Sequence, residues 1–216
     1  MESLLKSIEE LRRTLVKRNF KQAIELILKL KDIDVKKPEN RISEQIELPN
    51  AINKPVKVCV IASGDLAIRA GRSGADIVIG REELEKLGKD KKAARKLAEE
   101  YDHFIAEATL MPVVGKTVGP MLGPRNKMPT PVPPSAPIGE IIERHKRTVR
   151  IRIKDQPIIQ CRVATEDMPD EKIAENIQAV VARVESKLER GLKNIDSIML
   201  KTAMGPIVKA YPPKAD

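Results

Sequence analysis

Between Met111 and Pro134 the chain reads MPVVGKTVGPMLGPRNKMPTPVPP, a stretch that excludes both a long helix and an inner strand. It holds prolines at 112, 120, 124, 129, 131, 133 and 134 and glycines at 115, 119 and 123. Each proline fixes φ and removes an amide donor, which a helix interior or a central ladder cannot spare. Glycine lets the backbone come close to a neighbour or a ligand. The only charged residues are Lys116, Arg125 and Lys127. A basic run without carboxylates suits phosphates. It suits equally a rigid connector whose charges are incidental.

The texture before this stretch is that of an α/β unit. VKVCVIA, from Val56, is an apolar strand leading into a Ser63-Gly64-Asp65 turn and a short helix. Asp76 to Gly80 reads as a second buried strand, Arg81 to Leu87 and Lys91 to Tyr101 as helices, and HFIAEATL from His103 as a third strand. Strand alternating with helix implies a parallel sheet with helices on its faces, a Rossmann-like, three-layer arrangement. Ligands of such sheets sit beyond the strand ends, where the Gly/Pro stretch emerges. Ile138 to Arg147 reads as a closing helix.

The two ends of the chain differ from this middle. Residues 3–18 read as an amphipathic helix with Leu4, Ile8, Leu11 and Leu15 on one face. A second helix is expected through Ala23, Ile24, Ile27, Leu28 and Leu30, then a charged turn from Asp32 to Asn40 and a strand from Arg41 to Leu48. After Thr148, TVRIRIK alternates strictly, with Arg150, Arg152 and Lys154 on one side. IIQCRVA follows across Asp155-Gln156-Pro157, so a hairpin is expected. A helix runs from Asp167 to about Arg190, with Gly191 as its stop. A last strand spans Ser197 to Tyr211, interrupted at Met204-Gly205-Pro206, as in a bulge. The first 54 residues hold one expected strand and no sheet of their own. The economical fold is therefore an α+β terminal domain made by both chain ends, 1–54 plus 148–216, with an inserted α/β domain, 55–147. Crossings near Asn53–Pro55 and Arg147–Thr148 would form a double hinge.

Composition narrows function. The net charge of +9 favours an anionic partner. It is shared between the parts. The terminal domain has 24 basic and 19 acidic groups, and the insert 16 and 12, so binding must rely on a specific surface. Aromatic residues are 2% of the chain, too few for stacking platforms that bind single strands. Phe20 suits either a core anchor between helices or a stacking or shape contact. Cys59 and Cys161 lie in apolar runs and read as buried free thiols in a reducing, cytoplasmic compartment. No zinc spacing is present, and His103 and His145 add none. The opening MESLLKSIEELRR is unlike a signal peptide, and no run approaches the ~18 apolar residues of a membrane span. Gly115-Lys116-Thr117 lacks the upstream glycine of a phosphate loop, because position 110 is Leu. SGDLAIRAG has the wrong spacing for a dinucleotide fingerprint, and no hydrolase or metalloprotease motif is present. A nucleotide-binding enzyme built on the insert is the rival that these absences disfavour.

The long stretch LMPVVGKTVGPMLGPRNKMPTPVP resembles the signature of the L-one family of large-subunit ribosomal stalk proteins. NFKQAIEL, DIDVKKPENRI, IASGD, PDEKIAENIQAVV and TAMGP resemble its archaeal branch, so the resemblance covers nearly the whole chain. It implies the two-domain arrangement above, with the terminal domain sufficient for RNA binding. It implies a structural ribosomal component without catalysis, cofactor or metal, monomeric when free of the ribosome. Its partners would be the stalk region of large-subunit rRNA near the tRNA exit site, exit-site tRNA whose release it assists, and its own mRNA leader as a translational repressor. The family's RNA-contacting positions match Phe20, Gln22, Glu25 and Lys29 in one block and Lys201, Thr202, Met204, Gly205 and Pro206 in another. Ala203 stands where the family commonly has threonine, which removes a hydroxyl contact. Lys116, Arg125 and Lys127 would make a secondary RNA or tRNA contact. The chemistry is consistent with this resemblance: Gly205 and Pro206 would leave backbone accessible, and Glu25 could accept a hydrogen bond from a 2′-hydroxyl or a base amine.

Overall fold

The computed structural model describes residues 2–35, 37, 42–52, 56–153 and 156–210. In chain order the elements begin with α1 (Glu2–Arg13), β1 (Ala23–Leu30), β2 (Ser43–Glu47), β3 (Val58–Ile61), α2 (Gly64–Arg72), β4 (Ile77–Ile79), α3 (Arg81–Lys89) and α4 (Lys91–Glu100). Next come β5 (His103–Glu107), α5 (Met111–Thr117), α6 (Gly119–Leu122), β6 (Thr130–Val132) and α7 (Ile138–Lys146). The chain closes with β7 (Thr148–Arg152), β8 (Ile158–Thr165), α8 (Asp170–Glu185), β9 (Ile195–Thr202) and β10 (Ile207–Ala210). Two compact units separate: Met1–Lys54 with Arg147–Asp216, and Pro55–Lys146. Of the two expected crossings, Asn53–Pro55 lies outside the described residues.

The terminal unit is built on an antiparallel sheet of order β10-β9-β1-β8, with a separate β2-β7 ribbon. Leu4, Ile8 and Leu11 of α1 and Ile173, Ile177, Val180 and Val184 of α8 are buried in one core with the inward residues of the sheet. Arg12 ties the end of α1 to the start of α8, donating to Asp170 Oδ1 at 2.5 Å and to the carbonyls of Glu166 and Met168 at 2.9 and 2.6 Å.

Several expectations for this unit change. The segment expected as a second helix is β1, the inner strand paired on both sides. Ile24, Leu26, Leu28 and Leu30 alternate inward, a period of two that the apolar Ile27 on the other face obscures. β7 pairs with β2 and β8 with β1, so the expected hairpin is replaced by two long-range pairings. Its turn residue Asp155, like Lys154 of the basic row, lies outside the described residues. So do Asn40 and Arg41 between the charged turn and β2. The last strand is two strands, β9 and β10, paired with Lys201 opposite Ile207. Met204-Gly205-Pro206 is the turn between them and not a bulge, while Tyr211 lies outside the described residues. α8 stops at Glu185, and Gly191, at φ 55°, instead opens a 3-10 turn leading into β9.

The insert is a parallel sheet of order β4-β3-β5-β6. Val58, Val60, Ala62 and Ile105 pack with α2 and α7, while Cys59, Ile61, Phe104 and Ala106 pack with α3 to α6. Helices thus cover both faces, and β3 and β5 are buried at every residue because neither face meets water. The Gly/Pro stretch forms no long helix, but it is not simply a loop. It folds as α5, α6 and the edge strand β6. Pro112 and Pro120 sit in first helical turns, where no amide partner is required. Val114, Val118 and Leu122, four residues apart, are buried against the sheet. Gly88 makes room for this packing, since a Cβ there would lie 2.8 Å from Thr117 Cγ2. Both cysteines are buried free thiols, each pushed up to about 12 by burial first of all.

Candidate nucleic-acid interface

The face of the antiparallel sheet opposite α1 and α8 carries Glu25, Ile27 and Lys29 of β1, Met199 and Lys201 of β9, Ile207 and Lys209 of β10, and Gln160 and Arg162 of β8. Strand alternation sends these residues outward while their neighbours fill the core. In register, Ile207, Lys201, Glu25 and Arg162 form a row across all four strands. Glu25 accepts from Gln160 Nε2 at 2.7 Å. Lys29 pairs with Asp196 at 2.8 Å, which lowers the Asp196 pKa. Both partners are solvent-accessible, so this pair is weak and Lys29 can be recruited by a phosphate.

The row ends at the β9–β10 turn. Met204 is 63% exposed and Phe20 53%, so the core-anchor reading of Phe20 fails. Val16 and Ile207 are the other large apolar side chains that this unit exposes among the described residues. Exposed apolar groups of this size mark contact surfaces when they gather beside polar ones. Beneath them the turn is tightly specified. The amide of Ala203 donates to Ala23 O at 3.0 Å and that of Gly205 to Thr202 O at 3.1 Å. A Cβ on Gly205 would lie 2.1 Å from Thr202 Oγ1, and Thr202 is 1% exposed. Only glycine fits against that hydroxyl. Gln22 is also 1% exposed and bonds to both Val16 and Met204. Lys21, next to Phe20, donates to Asp167 at 2.8 Å. That bond, with a second from Thr165, draws the Asp167 carboxyl down to about 2.

The expected site residues thus divide. Phe20, Met204 and Pro206 are exposed; Glu25 and Lys201 pair at the turn end of the open face, whereas Lys29, opposite Ser197, lies at its far end. Gln22 and Thr202 lie inside and support that edge. Val16, Ile207 and Arg162 border the same surface and were missed. An exposed apolar side chain has no sequence signal that separates it from a core one. In the insert, Lys127 Nζ donates to the carbonyls of Ala98 and Tyr101 at 3.0 and 2.7 Å, capping α4. Arg125 donates to Glu99 at 2.9 Å and to Met121 O at 3.3 Å. Lys116 is exposed.

The end of the parallel strands, where the rival enzyme would hold a nucleotide, is occupied by protein. Glu107 ends β5 and is 7% exposed. Its carboxylate accepts from Thr109 Oγ1 at 2.6 Å, and from Ser63 Oγ and N at 2.7 and 2.9 Å. Hydrogen bonds from Thr109, then Ser63, lower its pKa and keep it ionised. Ser63 is the N-cap of α2, so an internal anion sits where a phosphate would dock. Among the described residues no three His, Cys, Asp or Glu side chains gather to hold a metal, and no helix is long and apolar enough to cross a membrane.

Comparison with known proteins identifies relatives of the chain. The Ribosomal protein L1p/L10e family matches residues 7–206. The large ribosomal subunit protein uL1 of Methanothermobacter thermautotrophicus is 48% identical over 208 residues, covering 96% of this chain and 98% of that protein. The uL1 of Thermofilum pendens is 52% identical over 194 residues, covering 89% and 85%. That of Thermococcus kodakarensis is 46% identical over 209 residues, covering 96% of each. Matches of this extent, over both units, show that the chain belongs to the Ribosomal protein L1p/L10e family, a family of ribosomal proteins and not of enzymes.

Proposed function

We propose that the protein is a structural constituent of the large ribosomal subunit that binds the stalk region of large-subunit rRNA, near the tRNA exit site. The contact is made by the open face of the antiparallel sheet and the turn at its edge. The observation that carries this reading is the exposed Met204-Gly205-Pro206 turn, bonded through Gln22 to the segment that carries the exposed Phe20, at the end of a sheet face of polar and charged strand residues. A flat, largely preformed surface with few aromatics fits a folded RNA read by shape, 2′-hydroxyl and phosphate contacts. Lys29, Lys201 and Lys209 supply charge, and Glu25 and Gln160 supply acceptors and donors. The same surface would bind a similar structure in the protein's own mRNA leader and so repress translation. The insert would assist release of deacylated tRNA, with Lys116 exposed and Arg125 and Lys127 engaged within the unit.

A filter-binding titration against a short stalk-type rRNA fragment tests this, with an unrelated hairpin and a salt series as controls. Binding should be orders of magnitude tighter to the stalk fragment and should weaken with salt as phosphate contacts release counterions. A protein joining residues 1–54 to 148–216 should retain most of the affinity. Equal, weak binding to both RNAs, abolished by salt, would defeat the proposal. Affinity that follows residues 55–147 alone would move the site to the insert.

A further inference from the structure

Gln22 falls in the family's first contact block by sequence, yet its surroundings are those of an internal strut. It is 1% exposed, while Val16 and Met204 on either side of it are 61% and 63% exposed. Both ends of its amide are used inside the protein. Nε2 donates to the Val16 carbonyl at 2.8 Å, and Oε1 accepts the Met204 amide at 3.3 Å. These partners leave one orientation for the group, because a carbonyl needs the NH2 and an N–H needs the oxygen. The backbone carbonyl of Gln22 accepts from Glu166 N at 3.0 Å, and the next carbonyl, of Ala23, holds Ala203 N.

The segment from Leu15 to Gln22, which carries Phe20, lies outside any helix or strand. It has no ladder to order it. The Met204 turn is the tip of a hairpin, distant in sequence. One buried amide spans the gap between them, and its position beneath exposed side chains keeps it away from any bound macromolecule.

We propose that Gln22 is a positioning residue of the RNA interface: it touches no RNA, and it locks the Val16–Phe20 segment to the Met204 turn so that the two contact blocks form one preformed surface. The inference rests on the RNA-binding reading above. A surface ordered before binding avoids the entropy cost of ordering two loops on the RNA. Without the strut, that cost falls on the complex.

The test uses the full-length protein and two substitutions. Gln22→Met removes both hydrogen bonds at similar volume. Gln22→Glu keeps the acceptor for the Met204 amide but sets a carboxylate oxygen against the Val16 carbonyl. Hydrogen exchange of the Met204 amide is read in the free protein, and the dissociation constant is read with the stalk-type fragment at fixed salt. Val180→Ala, on the buried face of α8, serves as a variant destabilised without touching the strut. The expected result is faster Met204 exchange in both variants than in wild type, with affinity falling in both, to roughly tenfold weaker for Met. Val180→Ala should leave the affinity near wild type. Three results overturn the proposal: affinity lost with Met204 protection intact, which makes Gln22 a direct contact; neither quantity changed; or an equal loss in Val180→Ala. If wild-type protein does not distinguish the stalk fragment from a control hairpin, the RNA reading itself falls, and the exchange measurement, made without RNA, tells that failure from failure of the strut.

Discussion

The two sheets of this protein present contrasting surfaces. The parallel sheet of the insert has helices on both faces, and the strand ends that would ordinarily receive a ligand are filled by Glu107 with Ser63 and Thr109. The antiparallel sheet of the terminal unit packs helices on one face and leaves the other to solvent, ending in an apolar turn. Fold alone would have sent a search for the site to the insert. Side-chain chemistry reverses that choice, since a buried carboxylate repels phosphate whereas an open strand face with lysines and an exposed methionine can receive it. A topology offers positions, and the residues at those positions decide which one is available.

The largest effect that would probe this contrast is expected from Gly205→Val. The new side chain meets Thr202 Oγ1, the hairpin must shift, and affinity for the stalk fragment should fall by roughly 2–4 kcal/mol. A titration showing wild-type affinity would remove the turn from the interface. Met204→Asp should cost about 2 kcal/mol in binding while leaving the melting temperature in place, because Met204 is outward. Loss of both together would show that the methionine is structural.

Glu107→Ala tests the other sheet. Ser63 and Thr109 lose a charged acceptor, so the insert should be destabilised by roughly 2 kcal/mol in denaturant unfolding, with RNA affinity unchanged. A fall in RNA affinity would show that the two sheets are energetically coupled.

A smaller effect concerns acid. Asp167 has its pKa depressed to about 2 by Lys21 and Thr165, against about 3.9 in an unfolded chain. A depressed carboxyl stabilises the fold fully above its unfolded value, and that contribution is lost as pH falls from about 4 toward 2. Asp167→Asn should therefore flatten the acid limb of the stability curve in that window, and an unaltered limb would mean the pairing with Lys21 does not persist in solution. The smallest effect is expected from Lys116→Ala, with less than about 0.5 kcal/mol on stability. Its effect on RNA affinity at any salt should be minor beside that of Lys201→Ala. The reverse ranking would move the principal phosphate contact to the insert.

Much of this could be read in advance where a pattern is local. The apolar runs of β3 and β5, the helical spacing of Ile173, Ile177, Val180 and Val184, and the proline-rich break at 111–134 each carry their own physical signature. Val114, Val118 and Leu122 carried one too, hidden by the prolines around them. The candidate surface was legible only through blocks that resemble a family, because exposed and buried methionines or phenylalanines look alike in a sequence.

Residue order alone specified two differently textured regions, a parallel α/β insert between ends of α+β character, since periodicity and chain-breaking residues act over a few neighbours. Pairing and burial came from contacts across long separations. β1 is a strand because β8 and β9 flank it from residues 158–165 and 195–202. Gln22 is buried with Val16 and Met204 converging on its amide. Lys127 caps a helix more than twenty-five residues away. A residue's own type sets what bonds it can make; the neighbours that the folded chain brings to it set which ones it does make.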